Sequence, residues 1–298
     1  MDFNFDFNTL SGGKDPFAAK SNFTTDERFY TLTKDENGNG AAIIRFLPDG
    51  EKSADGSMGT IKRVYRYNFR NKNNPKVFYN EWSPVTIGKK DPAFEAWQKL
   101  WNEGKKEEAK RFSRSERYIA NIKVIKDPKN PEREGKIFLL DMSKTFAEKV
   151  KNWLMPSKAD LELGAQPEPL FNPMKGKNLK YIAKLGANGI TEFSSSALES
   201  ELTSVYDSVE DAVKDIKENT YKLSSWDTDA EYKTYDELVQ EFNRVEGTEP
   251  LNETTSVQVE TTPQEQVTQT SQTQVSQPSQ TSNSDAELDD LLAQLSSK

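Results

Sequence analysis

Cationic and aromatic side chains interleave in the segment IKRVYRYNFRNK, residues 61–72. Because side chains alternate along a strand, every second residue from Arg63 to Phe69 is expected on one face. Cations attract phosphates, and exposed aromatic rings stack on unpaired bases without reading base edges. The pattern therefore favours binding of single-stranded nucleic acid, although any one ring is as readily explained as core. The candidate binding residues of this segment are Arg63, Tyr65, Arg66, Tyr67, Arg70 and Lys72.

A second basic segment, KRFSRSERYIANIKVIK, covers residues 110–126. Its cations precede a predicted strand whose first residue is Tyr118. A solvated helix end would explain these charges almost as well, so their coincidence with the first segment is what favours binding. The candidates here are Lys110, Arg111, Arg114, Arg117 and Tyr118.

Catalytic chemistry is poorly supported by the residue types present. The chain has no cysteine and no histidine, which excludes thiol nucleophiles, imidazole bases and zinc sites built from these side chains. The spacing of Asp35, Asn37 and Asn39 is that of a calcium loop, but Phe46 stands where the bidentate Glu belongs, so a turn is predicted. We expect no enzyme, no metal and no cofactor, with a metal-dependent nuclease as a third alternative because the scattered carboxylates cannot be placed in space.

The net charge of -8 conceals a strong segregation of charge along the chain. Residues 1–194 carry 34 Lys and Arg against 26 Asp and Glu, whereas residues 195–245 carry 5 against 13 and residues 246–298 carry 1 against 9. Binding of a polyanion depends on the local potential, and residues 60–136 hold 20 basic and 10 acidic residues. DNA binding is therefore expected of about residues 28–194.

Short segments rich in β-branched and aromatic residues predict strands, and amphipathic segments between and after them predict helices. The fold class is predicted as α+β, with a small β-barrel core that carries helical insertions. Strands are predicted at 41–47, 61–69, 76–82, 118–126, 136–142 and 179–185, and helices at 93–101, 144–154 and 234–242.

The chain divides into an N-terminal arm (1–20), a core (21–245), a linker (246–283) and a C-terminal tail (284–298). The linker is rich in Thr, Ser and Gln and is predicted to be disordered. The tail resembles a short amphipathic helix that orders on contact with a partner, and a frayed solubilising tail is the alternative. Its candidate partner-binding residues are Asp285, Glu287, Leu288, Asp289, Asp290, Leu291, Leu292 and Leu295.

Several segments together resemble the single-stranded DNA-binding, helix-destabilising protein of T-even-type bacteriophages. They are GAAIIRFLP (40–48), RYIANIKVIKDPKNPEREGKIF (117–138), KTYDELVQEF (233–242) and the terminal DAELDDLLAQL. The resemblance implies an OB-fold whose cleft holds single-stranded DNA, with Arg114 and Tyr118 in the cleft and Phe193 at a DNA-facing position.

The resemblance also implies a role in phage DNA replication, recombination and repair, in the cytoplasm of the infected bacterial host. The acidic tail would dock replication and recombination proteins, such as a polymerase, a helicase loader or a recombinase mediator, and compete with DNA for the cleft. No segment is apolar enough for a membrane span, so no membrane partner is expected. The alternative function is a protein scaffold that binds no nucleic acid.

Two departures from the family stand out. The family binds zinc through one His and three Cys, where this chain has approximately Tyr67, Trp82 or Ser83, Phe94 and Trp97. An aromatic cluster in place of the metal is therefore predicted. The family's basic N-terminal arm, which mediates cooperative binding, is replaced by MDFNFDFNTL, so any self-association along DNA must use apolar contacts or lie elsewhere.

Overall fold

The computed structural model describes residues 26–51, 58–187 and 189–247, and these residues form an α+β structure with one large antiparallel sheet. The predicted fold class is therefore confirmed at the level of α+β. The strands are β1 (Gly40–Leu47), β2 (Lys62–Arg70), β3 (Phe78–Ser83), β4 (Arg114–Lys126), β5 (Ile137–Ser143), β6 (Gly176–Leu185), β7 (Thr191–Glu192) and β8 (Ala197–Thr203). The helices are α1 (Pro92–Asn102), α2 (Lys106–Ala109), α3 (Lys144–Leu154), α4 (Lys158–Glu162), α5 (Val209–Asn219) and α6 (Tyr235–Glu246).

Strand β4 organises the sheet because its thirteen residues pair with three other strands. On one edge, residues 114–119 pair with β2 and residues 121–126 pair with β1. Residues 117–123 pair with β5 on the other edge. The sheet then continues from β1 to β6, and β6 pairs with both β7 and β8.

The predicted strands and helices are all found, with boundaries that shift by a few residues. One shift of four residues concerns β4, which begins at Arg114 and not at Tyr118. Arg114 and Arg117, which were predicted to precede this strand, therefore lie within it. The register of β4 decides toward which face of the sheet each of their side chains points. Sequence reasoning missed β7, β8, α2, α4 and α5, which are short or polar.

Buried side chains form a main core on one side of the sheet and an aromatic cluster at its β2–β3 end. The main core gathers residues from β1, β4, β5 and β6 beneath α3, where Phe146, Ala147 and Val150 are buried. The aromatic cluster comprises Tyr67, Phe69, Tyr79, Phe94, Trp97, Phe112 and Phe242 with neighbouring aliphatic residues. Helices α1 and α6 therefore cover one end of the sheet, while α3 covers the middle.

The Asp35–Gly40 segment is a turn, as predicted. The backbone N–H groups of Asn37 and Asn39 donate to the Asp35 carboxylate at 2.9 and 2.8 Å, and Gly38 adopts a φ of 77°. Within the described parts of the chain, no helix is long and apolar enough to cross a membrane.

Candidate nucleic-acid interface

One face of the β2–β4 pair presents a cation stacked on an aromatic ring. In the register, Arg63 lies opposite Tyr118, Tyr65 opposite Glu116, and Tyr67 opposite Arg114. The Arg114 guanidinium lies 4.0 Å from the centroid of the half-buried Tyr65 ring. Arg114 itself is exposed. We call Arg63, Tyr65 and Arg114 the strand face, because both a flat π-system and positive charge are accessible there.

Glu116 partly neutralises this face. It lies 3.7 Å from the Arg63 guanidinium and 3.1 Å from the Lys144 ammonium, and it accepts a 2.8 Å hydrogen bond from the Tyr118 hydroxyl. Burial by itself raises the pKa of Glu116, but the Tyr118 hydroxyl and the Lys144 ammonium outweigh burial and hold the pKa below its ordinary value. The carboxylate is therefore ionised at neutral pH, and it links the strand face to the first residue of α3.

On the opposite face of β2 and β4, Asp141 of β5 accepts hydrogen bonds from two guanidinium groups. Arg117 donates from Nε at 2.7 Å and Arg66 donates from Nη1 at 3.1 Å. The Arg66 guanidinium also lies 4.6 Å from the Trp82 ring centroid. Two cations share one carboxylate, so this group retains a positive charge.

A cleft of about 760 Å³ opens beside Arg117, between β5, the start of α3 and the segment from 190 to 194. The rings of Tyr181 and Phe193 stack in its wall, with centroids 4.5 Å apart and planes 5° from parallel. Phe146 packs against both rings. Tyr181 is buried and Phe193 is half-buried, so Phe193 is the ring that is open to the cleft. Phe193, a predicted site residue, thus lines a cavity with Arg117.

Sequence reasoning missed Lys149, Tyr181 and Ile190 in this cleft. The Lys149 ammonium donates to the carbonyl oxygens of Ser194 and Ser196 at 2.7 and 2.6 Å, which holds the β7–β8 connection against α3. The signal for Tyr181 was present in the alternation of LKYIAKL. Lys149 and Ile190 carried no distinguishing local pattern.

The cleft lining carries both signs of charge. Arg117 and Lys149 are its cations, and Asp141, Glu148 and Glu192 are its carboxylates. The lining alone therefore carries one more carboxylate than it has cations. The exposed positive charge that could meet phosphates lies on the neighbouring strand face and at Lys144.

The other half of β2 corrects part of the predicted site. Tyr67 is 1% exposed and Phe69 is 4% exposed, both within the aromatic cluster. A ring buried in this way cannot accept a base, so the expectation that Tyr67 stacks on DNA is wrong. Tyr118 is also largely buried, and its ring belongs to the main core.

Arg111 is held in the same cluster and is not free to follow a phosphate. Its guanidinium lies 5.0 Å from the Phe112 centroid and 5.4 Å from the Phe69 centroid. It also donates to the Glu246 carboxylate and to the Arg70 carbonyl. The structure therefore assigns Arg111 to packing between β2 and α6.

The remaining predicted cations lie outside the strand face and the cleft. Arg70 and Lys72 are at the β2–β3 turn, where Arg70 donates to the Pro75 carbonyl at 3.1 Å. Lys110 forms an exposed pair with Glu107 at 2.7 Å. The predicted tail residues, from Asp285 to Leu295, lie outside the described residues.

Three of the positions that the resemblance places approximately at the family's zinc ligands meet in the aromatic cluster. These are Tyr67, Phe94 and Trp97, whereas Trp82 packs in another cluster with Trp226. Ser83 donates a 2.7 Å hydrogen bond to the buried Asp91 carboxylate, which caps the N-terminus of α1. Burial raises the pKa of Asp91. Phenyl, phenol and indole groups do not fit a zinc site, and no group of three acidic residues in the described ranges is arranged to hold a metal.

An antiparallel sheet with an exposed arginine–tyrosine stack beside an aromatic cleft is a surface suited to nucleic acid. The family described as gp32 DNA binding protein like matches residues 38–246. The chain is 30% identical over 245 residues to the single-stranded DNA-binding protein of Enterobacteria phage T2, an alignment that covers 80% of this chain and 75% of that protein. The corresponding protein of Enterobacteria phage T4 is 30% identical over 229 residues, covering 75% and 71%. This chain belongs to the gp32-like family of DNA-binding proteins.

Proposed function

We propose that this protein binds single-stranded DNA without sequence preference, and that it coats and protects the strand during phage DNA replication, recombination and repair. The observation that carries the proposal is the exposed stack of Arg114 on Tyr65. Glu116, opposite Tyr65, pairs with Lys144 at the start of α3, and the next residues of α3 line the cleft that contains Arg117 and Phe193. The family and the names of the two phage relatives point the same way. No catalytic step is part of this function.

The chemistry of the strand face suits an unpaired strand better than a duplex. A flat ring stacks on any base once that base is unpaired, and an arginine beside the ring can contact the adjacent phosphate. The polar groups of the strand face are guanidinium and phenol groups, which contact a backbone without requiring a particular base. Binding is therefore expected to be insensitive to sequence and strongly sensitive to salt.

We also propose that the sheet is an elaborated OB-fold, with β1, β2, β4, β5 and β6 as its barrel-like part. The long β4 pairs with β2 along its first part and with β1 along its last part, which supports this proposal. A register shift between Ile43 and Ile44 adds local curvature to β1. OB-folds bind single strands across such a curved sheet face.

The domain division completes the proposal. Residues 21–245 are proposed as the DNA-binding core and residues 1–20 as an arm for self-association along DNA. Residues 246–283 are proposed as a linker to the acidic tail at 284–298. The tail would recruit replication and recombination proteins and compete with DNA for the core, because its four acidic residues complement the basic strand face.

A fluorescence titration tests the binding function. The chain contains five tryptophans, so oligo(dT) should quench its intrinsic fluorescence, and the apparent affinity should fall linearly with salt on logarithmic axes. Deletion of residues 285–298 should raise the affinity at low salt. Absence of quenching by oligo(dT) at low salt would remove the proposed function, and magnesium-dependent cleavage of the oligonucleotide would replace it with a nuclease.

We also propose that the aromatic cluster folds without zinc. The cluster joins β2, β3, α1 and α6 by apolar packing, and the Ser83–Asp91 hydrogen bond ties the end of β3 to the start of α1. Incubation with a chelator should therefore leave the thermal unfolding midpoint unchanged. Stoichiometric zinc in the purified protein would contradict this proposal.

A further inference from the structure

Three aromatic rings form a stacked ladder along one face of α1. Phe94, Trp97 and Trp101 recur at the spacing i, i+3, i+7, which places them on the same side of a helix. The Phe94 and Trp97 centroids are 5.8 Å apart with planes 13° from parallel, and the Trp97 and Trp101 centroids are 5.3 Å apart at 23°. The first two rings pack on the aromatic cluster, whereas Trp101 is 43% exposed. The ladder therefore starts in the cluster and ends in an exposed indole.

We propose that Trp101 is a base-stacking site for single-stranded nucleic acid outside the cleft, an inference that rests on the proposed function. A base laid on the indole would extend the existing stack by one ring. Trp97 supports the indole from behind, so ordering the side chain on binding costs little conformational entropy. The structure thus offers a stacking surface that is already oriented before a strand arrives.

The charge beside the ladder identifies a nucleotide as its occupant. The Lys106 ammonium lies 5.1 Å from the Trp101 ring centroid. When a base takes the place of the ammonium on the ring, the flexible lysine side chain can reach the adjacent phosphate. A flat aromatic surface with a mobile cation matches an unpaired nucleotide, which carries one π-face and one phosphate.

The position of α1 connects the ladder to the strand face. Helix α1 packs against α2 and against the short 3-10 helix Lys110–Phe112, and the chain enters β4 at Arg114 two residues later. Phe94 and Trp97 also pack in the same cluster as Tyr67, which follows Tyr65 on the same side of β2. A strand leaving the Tyr65–Arg114 stack can therefore continue toward Trp101.

A length series of oligo(dT) tests the proposal with full-length protein. The affinities of wild type and W101A are compared at fixed salt, from the shortest oligonucleotide that binds to lengths that saturate the affinity. The ratio of wild-type affinity to W101A affinity should be close to one for short oligonucleotides that remain in the cleft. It should rise to roughly 5- to 150-fold for longer ones, which corresponds to one stacked base.

W101F should restore most of the affinity for long oligonucleotides because it keeps an aromatic ring. Leu163→Ala is the matched control, since it removes an apolar side chain that is 87% exposed and lies outside the ladder. This control should bind all lengths as wild type does. The unfolding midpoints of all variants should agree, because Trp101 is at the exposed end of the stack.

The outcomes separate this inference from the proposed function. Tight wild-type binding with a W101A ratio of one at every length overturns the ladder proposal alone. A raised ratio that does not depend on length shows an indirect effect on the core and also overturns it. Altered self-association of W101A in sedimentation, with unchanged DNA affinity, would make the ladder a protein interface. Failure of wild type to bind any length overturns the proposed function itself.

Discussion

The two halves of β2 carry the same alternation of cations and aromatic residues but lie in different environments. In the first half, Arg63 and Tyr65 are partly accessible on the strand face, and in the second half Tyr67 and Phe69 are buried. All four residues point to the same side of the strand. The difference arises because α1 and α6 close over the second half only. Accessibility to DNA is thus decided by what packs against the strand.

The cations of the adjoining segment repeat this division. Arg114 stacks on Tyr65 and remains exposed, whereas Arg111 stacks on Phe69 and Phe112 and is tied to Glu246. The two contacts are chemically alike. An exposed pair can exchange its partner for a nucleotide, but an enclosed pair stabilises the junction between β2 and α6.

The largest expected effect is on the second half of β2, which α1 and α6 enclose. Phe69→Ala should lower the free energy of unfolding by about 3–5 kcal/mol, because it removes a ring in contact with Tyr79, Phe112 and Phe242. Urea denaturation measures this loss. At a temperature where the variant is folded, its affinity for oligo(dT) should match wild type. Loss of affinity by the folded variant would place Phe69 in the binding surface.

A substitution in the first half of β2 should change DNA affinity more than stability. Tyr65→Ala should weaken oligo(dT) binding by about 1–3 kcal/mol, since it removes the ring under Arg114. Its unfolding free energy should change less than that of Phe69→Ala because Tyr65 is only half-buried. Fluorescence titration and urea denaturation of the same preparation give both values. If Tyr65→Ala unfolds the protein but binds normally when folded, the two halves do not differ as described.

A smaller effect concerns Glu116, the carboxylate of β4 that lies opposite Tyr65. The pKa of Glu116 is held below its ordinary value, so its contribution to stability is complete above its unfolded pKa of about 4.3 and is lost as pH falls through the lower folded pKa. Glu116→Gln should therefore be less stable than wild type at neutral pH, by less than about 1 kcal/mol. The difference should shrink as pH falls below the unfolded pKa and disappear once pH is below the folded pKa, which acid denaturation of both proteins measures. A difference that grows toward acid pH would show that the carboxylate is not stabilised in this way.

The smallest effect is expected for a predicted cation that the structure leaves outside both halves. Lys110→Ala removes one exposed pair with Glu107, and exposed pairs of this kind contribute about 0–1 kcal/mol. Unfolding free energy and oligo(dT) affinity should both remain near the wild-type values. A clear loss of affinity would extend the binding surface beyond the strand face and the cleft.

The regular elements were predictable wherever local pattern and burial agree. Helix α3 was predicted with its observed bounds, and α6 was predicted from the Thr234–Glu237 capping box that the structure contains. The short β7 and the polar β8 were missed because their stability depends on pairing with β6. Six of the eleven residues of α5 are charged, so its buried Ala212 and Ile216 gave a weak periodic signal.

The sequence by itself determined the chemical inventory of this protein: a basic half with aromatic residues, no thiol or imidazole, and an acidic remainder. These properties depend only on residue types and their order. Tertiary structure alone decided which rings can meet a base, because Tyr65 and Tyr67 are indistinguishable in a strand pattern. It also brought Phe193 to Arg117, across more than seventy residues, through pairing and packing that no local pattern encodes. The physical reason is that exposure is a property of the neighbours in space, and those neighbours come from distant segments.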